Sequence, residues 1–326
     1  MTSRERVLAA MKFGRPDRLP VDMPIMGMTD FHHVGWKQIG TGDNSLPETY
    51  DEWGCLWKRS SVKNMGLVAG HPLDSWDKLD QFRWPDPDDP ALYDTLEEQM
   101  KGAGDKYVNT SIFMVLFERL HALRGFQNAL EDLYIEPEKI GALADRIVEY
   151  DLRIIENIRA RLPGAIDGIS FTDDWGTELN SMISPALFDD FFVPRYKKIF
   201  DACHDNGWLV MLHSCGKVDP LLDSLIGIGL DAANLQQPRV FDMVEFGKRF
   251  AGRICFYSLC DIQHTLPFKG KKEIEEEAAL LLKYWATKDG GFVLSDYGDG
   301  EAIGVSPEKK GWMLDAFLKN DPWKAR

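Results

Sequence analysis

His213 and Cys215 stand two residues apart in the run WLVMLHSCG. If that run is a strand, both side chains point the same way, roughly 7 Å apart along the chain, and both reach one ion. Imidazole with thiolate selects zinc over magnesium or calcium. A hydrogen-bonded core histidine beside a buried thiol is the plain alternative, because two ligands do not make a site. Further ligands have to come from other segments, and Glu178, Cys260 and Asp296 are the candidates. Other acid/base types gather after apolar runs: Glu118; Thr172, Asp173 and Asp174; Asp261, Gln263 and His264; Asp299 and Glu301. Each has a structural alternative. Asp173 and Asp174 suit a helix N-terminus, Asp261 a turn cap before Pro267, and the last two a Gly-rich loop. His32-His33 reads as a surface pair on an irregular segment. The residues Trp36, Trp53, Trp57, Trp76 and Trp84 read as core and lid packing.

The elements that must position these groups are most regular in the second half. Residues 165–171, 208–214, 232–236, 253–259 and 291–295 are short apolar runs without alternation, as strands buried on both faces require. Helices separate them. Ser184-Pro185 and Asp219-Pro220 are start signals, and Gly207 and Gly229 are stops. Glu273 to Trp285 and Pro307 to Leu318 supply two more helices. Strand and helix in strict succession make a parallel sheet with right-handed crossovers.

In the first half, Arg18 to Ile25 and Tyr107 to Phe113 read as strands, with a weak candidate at Gly66 to Ala69. Residues 137–162 form a long amphipathic helix carrying Ile140, Leu143, Ile147, Tyr150, Ile154, Ile158 and Leu162 on one face. This count approaches a single (β/α)₈ TIM barrel over residues 1–326. A doubly wound nucleotide fold lacks support, since neither GxGxxG after a strand nor GxxxxGK[ST] occurs.

The chain has 326 residues and a formal charge of −14. That balance argues against nucleic-acid and anionic-membrane surfaces, which need clustered Lys and Arg. Five cysteines without framework spacing suit reduced thiols, and no apolar stretch is long enough to span a bilayer. A cytoplasmic protein is expected, and a homodimer is compatible with the sequence.

Six segments carry a family resemblance: RERVLAAMKFGRPDRLPVDMP, DEWGCLWKR, SIFMVLFERLHALRGFQNALEDL, SFTDDWGTELNSMISPALFDDFFVPRYKKIF, LHSCGKVDPLLDSLIGIGLDAANLQQP and CDIQHTLP. Together they resemble the uroporphyrinogen decarboxylase superfamily and, more narrowly, its cobamide-dependent methyltransferases and O-demethylase components. The resemblance implies a (β/α)₈ barrel with an open funnel at its C-terminal face. True uroporphyrinogen decarboxylases carry paired arginines after the first strand, to hold a substrate with many carboxylates. Residues 21–40 contain no Arg and only Lys37, which argues against that substrate. The thiol-serving methyltransferases complete His-x-Cys with a cysteine after the last strand. Here that loop reads LSDYGDGE, so the resemblance leaves His213 and Cys215 with a carboxylate such as Asp296 or Glu178.

The resemblance therefore implies methyl transfer from a small donor, an aryl methyl ether above all, to the cobalt of a separate corrinoid protein. Zinc would act as Lewis acid on the ether oxygen, and Glu118 or Asp174 would deliver a proton. Met23, Met26, Met28 and Phe31 would form an apolar wall for the donor, or ordinary core. Asp261 and Gln263 would line the pocket or hold the loop above it. A decarboxylase or lyase acting on a small acid, and a non-catalytic binding barrel, are the competing readings.

Overall fold

The computed structural model describes residues 1–38, 46–59 and 66–324. Among them, eight parallel strands make the barrel: β1 (Val21–Met23), β2 (Phe31–His33), β3 (Tyr107–Ile112), β4 (Gly168–Thr172), β5 (Leu209–His213), β6 (Ala232–Leu235), β7 (Cys255–Ser258) and β8 (Phe292–Ser295). Every strand from β2 to β8 pairs with its successor, and β8 pairs with β1, Asp22 lying opposite Ser295. The expected (β/α)₈ barrel is the observed one.

The second strand differs from expectation. Leu67–Gly70 belongs to a separate three-stranded antiparallel sheet with Glu48–Tyr50 and Leu56–Lys58. The true second strand is Phe31–His33, and no helix links it to β1. The chain turns over at Pro24–Met26, descends as Met28–Thr29 antiparallel to β1, and reverses at Asp30. Asp30 is buried, and its carboxylate accepts from Arg6 (2.8 Å), Arg18 (2.8 Å), Ser3 (2.8 Å) and the Val21 N–H (3.0 Å). Its own N–H donates to the Val21 carbonyl at 2.7 Å, tying β1 to the start of β2. A three-residue strand is too short to register by hydrophobic pattern, so local hydrogen bonds fix it.

Helix α1 (Ser3–Met11) opens with a capping box between Thr2 and Glu5. It brings Val7, Ala10 and Met11 against the barrel floor, where they meet Phe31, Tyr107, Leu209, Cys255 and Val293. Among the helices that follow the strands are α2 (Phe117–Arg124), α3 (Phe126–Ile135), α4 (Pro137–Arg161), α5 (Val193–Asp205), α6 (Asp219–Gly227), α7 (Met243–Phe250), α8 (Lys271–Trp285) and α9 (Pro307–Lys319). All seven apolar residues expected on the face of the 137–162 helix are buried. The small sheet docks on α2: Asp51 pairs with the buried Arg119 at 2.8 Å, and the Cys55 thiol donates to the Ala122 carbonyl at 3.4 Å. That contact matters because α2 begins beside the strand ends that carry the site. Among the described residues no helix is long and apolar enough to cross a membrane.

Candidate functional site

His213 ends β5 with its ring facing the barrel mouth, and its Nδ1 lies 3.2 Å from the Asn234 carbonyl. A carbonyl only accepts, so Nδ1 carries the hydrogen and Nε2 keeps its lone pair. Nε2 lies 3.5 Å from Cys215 Sγ and 3.6 Å from Asp174 Oδ1. These three side chains offer ligand atoms that all lie within 4.8 Å of one another. A nitrogen, a thiol sulfur and a carboxylate oxygen in that arrangement suit zinc and leave an open position. Burial, then the Asp174 carboxylate, push the Cys215 thiol up from its ordinary value. A cation bound at the cluster favours the thiolate.

Two glycines make the arrangement possible. The loop after β4 lies against the loop after β5, with Gly176 N–H donating to the Cys215 carbonyl at 3.1 Å. A Cβ on Gly176 would collide with the backbone of Gly216 and Lys217, and one on Gly216 with the backbone of Gly176. Gly216 also sits at φ +74°, a conformation that side chains disfavour. With the loops in contact, Asp174 Oδ1 accepts the Cys215 N–H at 2.8 Å, and Ser214 Oγ accepts the Trp175 N–H at 2.8 Å.

Asp173, the residue before Asp174, does structural work. Its carboxylate accepts the N–H groups of Phe117 (2.8 Å) and Glu118 (2.6 Å), capping α2 from a neighbouring strand. The Tyr196 hydroxyl also donates to it. This capping places Glu118 beside the cluster. Burial, then the negative charges of Asp174 and Asp173, push the Glu118 carboxyl well above the usual range. Its Oε2 is buried without a hydrogen-bond partner. A protonated carboxylic acid with a vacant oxygen, next to a metal-binding set, is equipped to give a proton to a ligand.

Other expected residues fall elsewhere. Glu178 is exposed at the tip of the turn between Thr177 and Asn180, away from the cluster. Asp296 is half-buried, and its carboxylate pairs with the buried Lys310 at 2.8 Å. Asp174, and not Glu178 or Asp296, is the carboxylate that lies beside His213 and Cys215. Cys260 is buried in the outer core, its thiol donating to the Ile274 carbonyl at 3.6 Å. Phe31 packs edge-on against Tyr107 and Tyr257 in the barrel floor, so it is core and not pocket wall. Met26 lies in the turn after β1 and packs near Gly311 of α9. Asp261 is fully buried, and its oxygens accept from the backbone N–H groups of Arg239, Gln263 and His264. It holds the loop after β7 and has no exposed oxygen for a substrate. Gln263 Oε1 is buried without a partner and stays available.

The residues that sequence reasoning missed line the opposite wall. His33 is exposed as expected, but it is not free: it stacks on Phe31 and its Nε2 donates to Asp22 Oδ2 at 2.6 Å. The Tyr257 hydroxyl donates to the same oxygen at 2.5 Å, and Thr29 donates to the other at 2.9 Å. The available signal was an aspartate inside the apolar run LPVDMP, where an uncompensated charge is costly.

A nearly closed parallel barrel with acid/base and metal-ligand types of side chain at the C-terminal ends of β4 and β5 defines the class, a (β/α)₈-barrel enzyme. The uroporphyrinogen decarboxylase (URO-D) family profile matches residues 68–319, and the chain belongs to that family. No curated protein sequence matches it. Solved structures with a similar architecture include a D-psicose 3-epimerase (13% identity, TM-score 0.39, covering 71% of this chain and 82% of that one). An endo-β-1,4-xylanase from Gloeophyllum trabeum gives 10% identity and TM-score 0.44 over 72% and 82% of the two chains. Xylanase 10B from Thermotoga maritima gives 9% and 0.43 over 98% of each. These similarities are too slight to bear on activity.

Proposed function

We propose that this enzyme is a methyltransferase that moves a methyl group from a small donor, an aryl methyl ether above all, to the cobalt of a separate corrinoid protein. The observation that carries this reading is the convergence of Asp174, His213 and Cys215 beside Glu118, whose Oε2 is buried without a hydrogen-bond partner. Those three residues would hold a zinc ion, which would supply Lewis acidity at the donor oxygen. Everything else falls to the chain. His213 is oriented by the Asn234 carbonyl, and Asp174 is fixed by the Cys215 N–H. Glu118 delivers its proton to the departing oxygen, which keeps the electron pair of the broken carbon–oxygen bond.

Among the described residues the buried cations are each paired with a carboxylate and offer no polycarboxylate pocket: Arg6 with Asp30, Arg119 with Asp51, Arg124 with Asp132 and Lys310 with Asp296. The resident charge thus supports a donor with little charge of its own.

The test mixes zinc-loaded protein with cob(I)alamin and a panel of methoxyarenes, methylamines and methyl thioethers, following the cobalt absorption spectrum. Methylcobalamin forms with a methoxyarene if the reading is correct. No methyl transfer across the panel overturns it, and carbon dioxide release from small aromatic acids without cobalamin would move the assignment to decarboxylation.

A further inference from the structure

Where the small sheet meets α2 and α4, a small cavity lies apart from the proposed site. Glu52 enters it from the turn between Glu48–Tyr50 and Leu56–Lys58, and Tyr150 and Asp151 enter from α4. Arg119 of α2 and the rings of Trp36 and Trp53 also line it. Its volume is about 10 Å³, the room of one water-sized particle.

Three oxygens of these lining residues are buried without a hydrogen-bond partner: Glu52 Oε2, the Tyr150 hydroxyl and Asp151 Oδ2. Asp151 is 3% exposed and Tyr150 7%. The Tyr150 ring is held in place, with Trp53 edge-on at 4.7 Å and Trp36 tilted at 6.4 Å. Burial, then the charges of Glu52 and Asp151, push its hydroxyl up, so both carboxyls bear on it. The charges do not balance either. Arg119 donates to Asp51 at 2.8 Å, and Asp51 also accepts from Trp57 Nε1 and the N–H groups of Trp53 and Cys55. That pair cancels itself. Among the described residues neither Glu52 nor Asp151 forms an ion pair of its own. A buried charge without compensation is costly, and so is a buried hydroxyl without a partner.

We propose that Glu52, Tyr150 and Asp151 bind one monovalent cation of potassium or ammonium size, which pins the small sheet to α4 beside Arg119. Three oxygens on one cavity, two of them from carboxyls, suit a hard cation, and the Trp36 and Trp53 rings offer faces that attract one. Calcium takes roughly six to eight oxygens and magnesium keeps several waters, more than this space holds. Without the cation, protons take its place: burial pushes the Glu52 carboxyl up to about 7 and the Asp151 carboxyl well above the usual range. Arg119 follows Glu118 on α2, so the cation steadies the helix that carries the proposed acid.

Thermal unfolding of the full chain near pH 8, in potassium, ammonium or choline chloride at equal ionic strength, tests this. Choline is too large for the cavity. At roughly a hundred times its dissociation constant, potassium or ammonium should raise the melting temperature over choline by about 4 °C, and the larger rise names the ion. Asp151→Asn, nearly the same shape without the charge, should lose the rise. Thallium(I), of similar size, should give an anomalous diffraction peak against Glu52, Tyr150 and Asp151 in wild-type crystals, which needs no variant to fold. Equal melting temperatures in the three salts, a rise that survives Asp151→Asn, or a cavity without thallium overturns the proposal and leaves water and protons as the occupants. Neither measurement involves zinc or methyl transfer, so the outcome is separate from that of the reaction.

Discussion

Zinc at roughly a hundred times its dissociation constant stabilises a protein that binds it only when folded by about 2.7 kcal/mol. The three ligands come from two loops that meet only in the folded barrel, so the unfolded chain offers no comparable site. Unfolding entropy scales with length, and 326 residues at about 2.1 cal/mol/K each give about 0.7 kcal/mol/K. The melting temperature should therefore rise by about 4 °C on loading. Scanning calorimetry with and without zinc measures the shift, and metal analysis of the dialysed protein gives the stoichiometry. His213→Ala and Cys215→Ala should each abolish the shift at the same zinc concentration. Glu178→Gln, at an exposed turn, should retain it in full. A shift that persists in both ligand variants, or one lost with Glu178, would refute the assignment of Asp174 as the carboxylate ligand's partner to His213 and Cys215.

Further expectations concern the supporting residues. Glu118→Gln should lower methyl transfer by about 10²–10⁴-fold while leaving zinc content unchanged, read by stopped-flow cobalamin spectra and metal analysis. Gly176→Ala forces the two site loops apart, so the variant should fold by circular dichroism yet lose most of its zinc occupancy. Burial, opposed by Arg119 and reinforced by Asp51, pushes the Glu52 carboxyl up to about 7. A raised carboxyl favours the folded state most below its unfolded value. The wild type should therefore lose about 3 kcal/mol as pH rises from about 4.5 to about 7, from this group alone. Urea denaturation should find Glu52→Gln equal to wild type near pH 4 and more stable by up to that amount near pH 8; equal stability at both would contradict the burial argument.

Much of the barrel was legible because buried parallel strands leave uninterrupted apolar runs, and Ser-Pro and Gly signals mark the ends of helices. The strands at 209–213, 232–235, 255–258 and 292–295 fall inside the runs read for them, and the one at 168–172 passes the end of its run by one residue. The second strand was not legible. Phe31–His33 has only three residues, and its place depends on Asp30 being held by Arg6 and Arg18 from segments before it. Leu67–Gly70 overlaps the weak candidate at Gly66 to Ala69 and is a strand, but pairing partners and not local pattern decide which sheet a strand joins.

For the site, the sequence by itself determined the pair His213 and Cys215, because two-residue spacing on a strand is a local property. It also marked Glu118 and Asp174 as chemically able groups. Tertiary structure decided their roles. Asp174 joins the cluster because Gly176 and Gly216 let two loops touch, whereas Glu178 and Asp296 are drawn off to solvent and to Lys310. Asp22 lies level with Ser295 and holds His33, which joins strands from opposite ends of the chain. Spacing records neighbours along the chain; contacts across a closed sheet depend on strand order and register, which only the folded barrel sets.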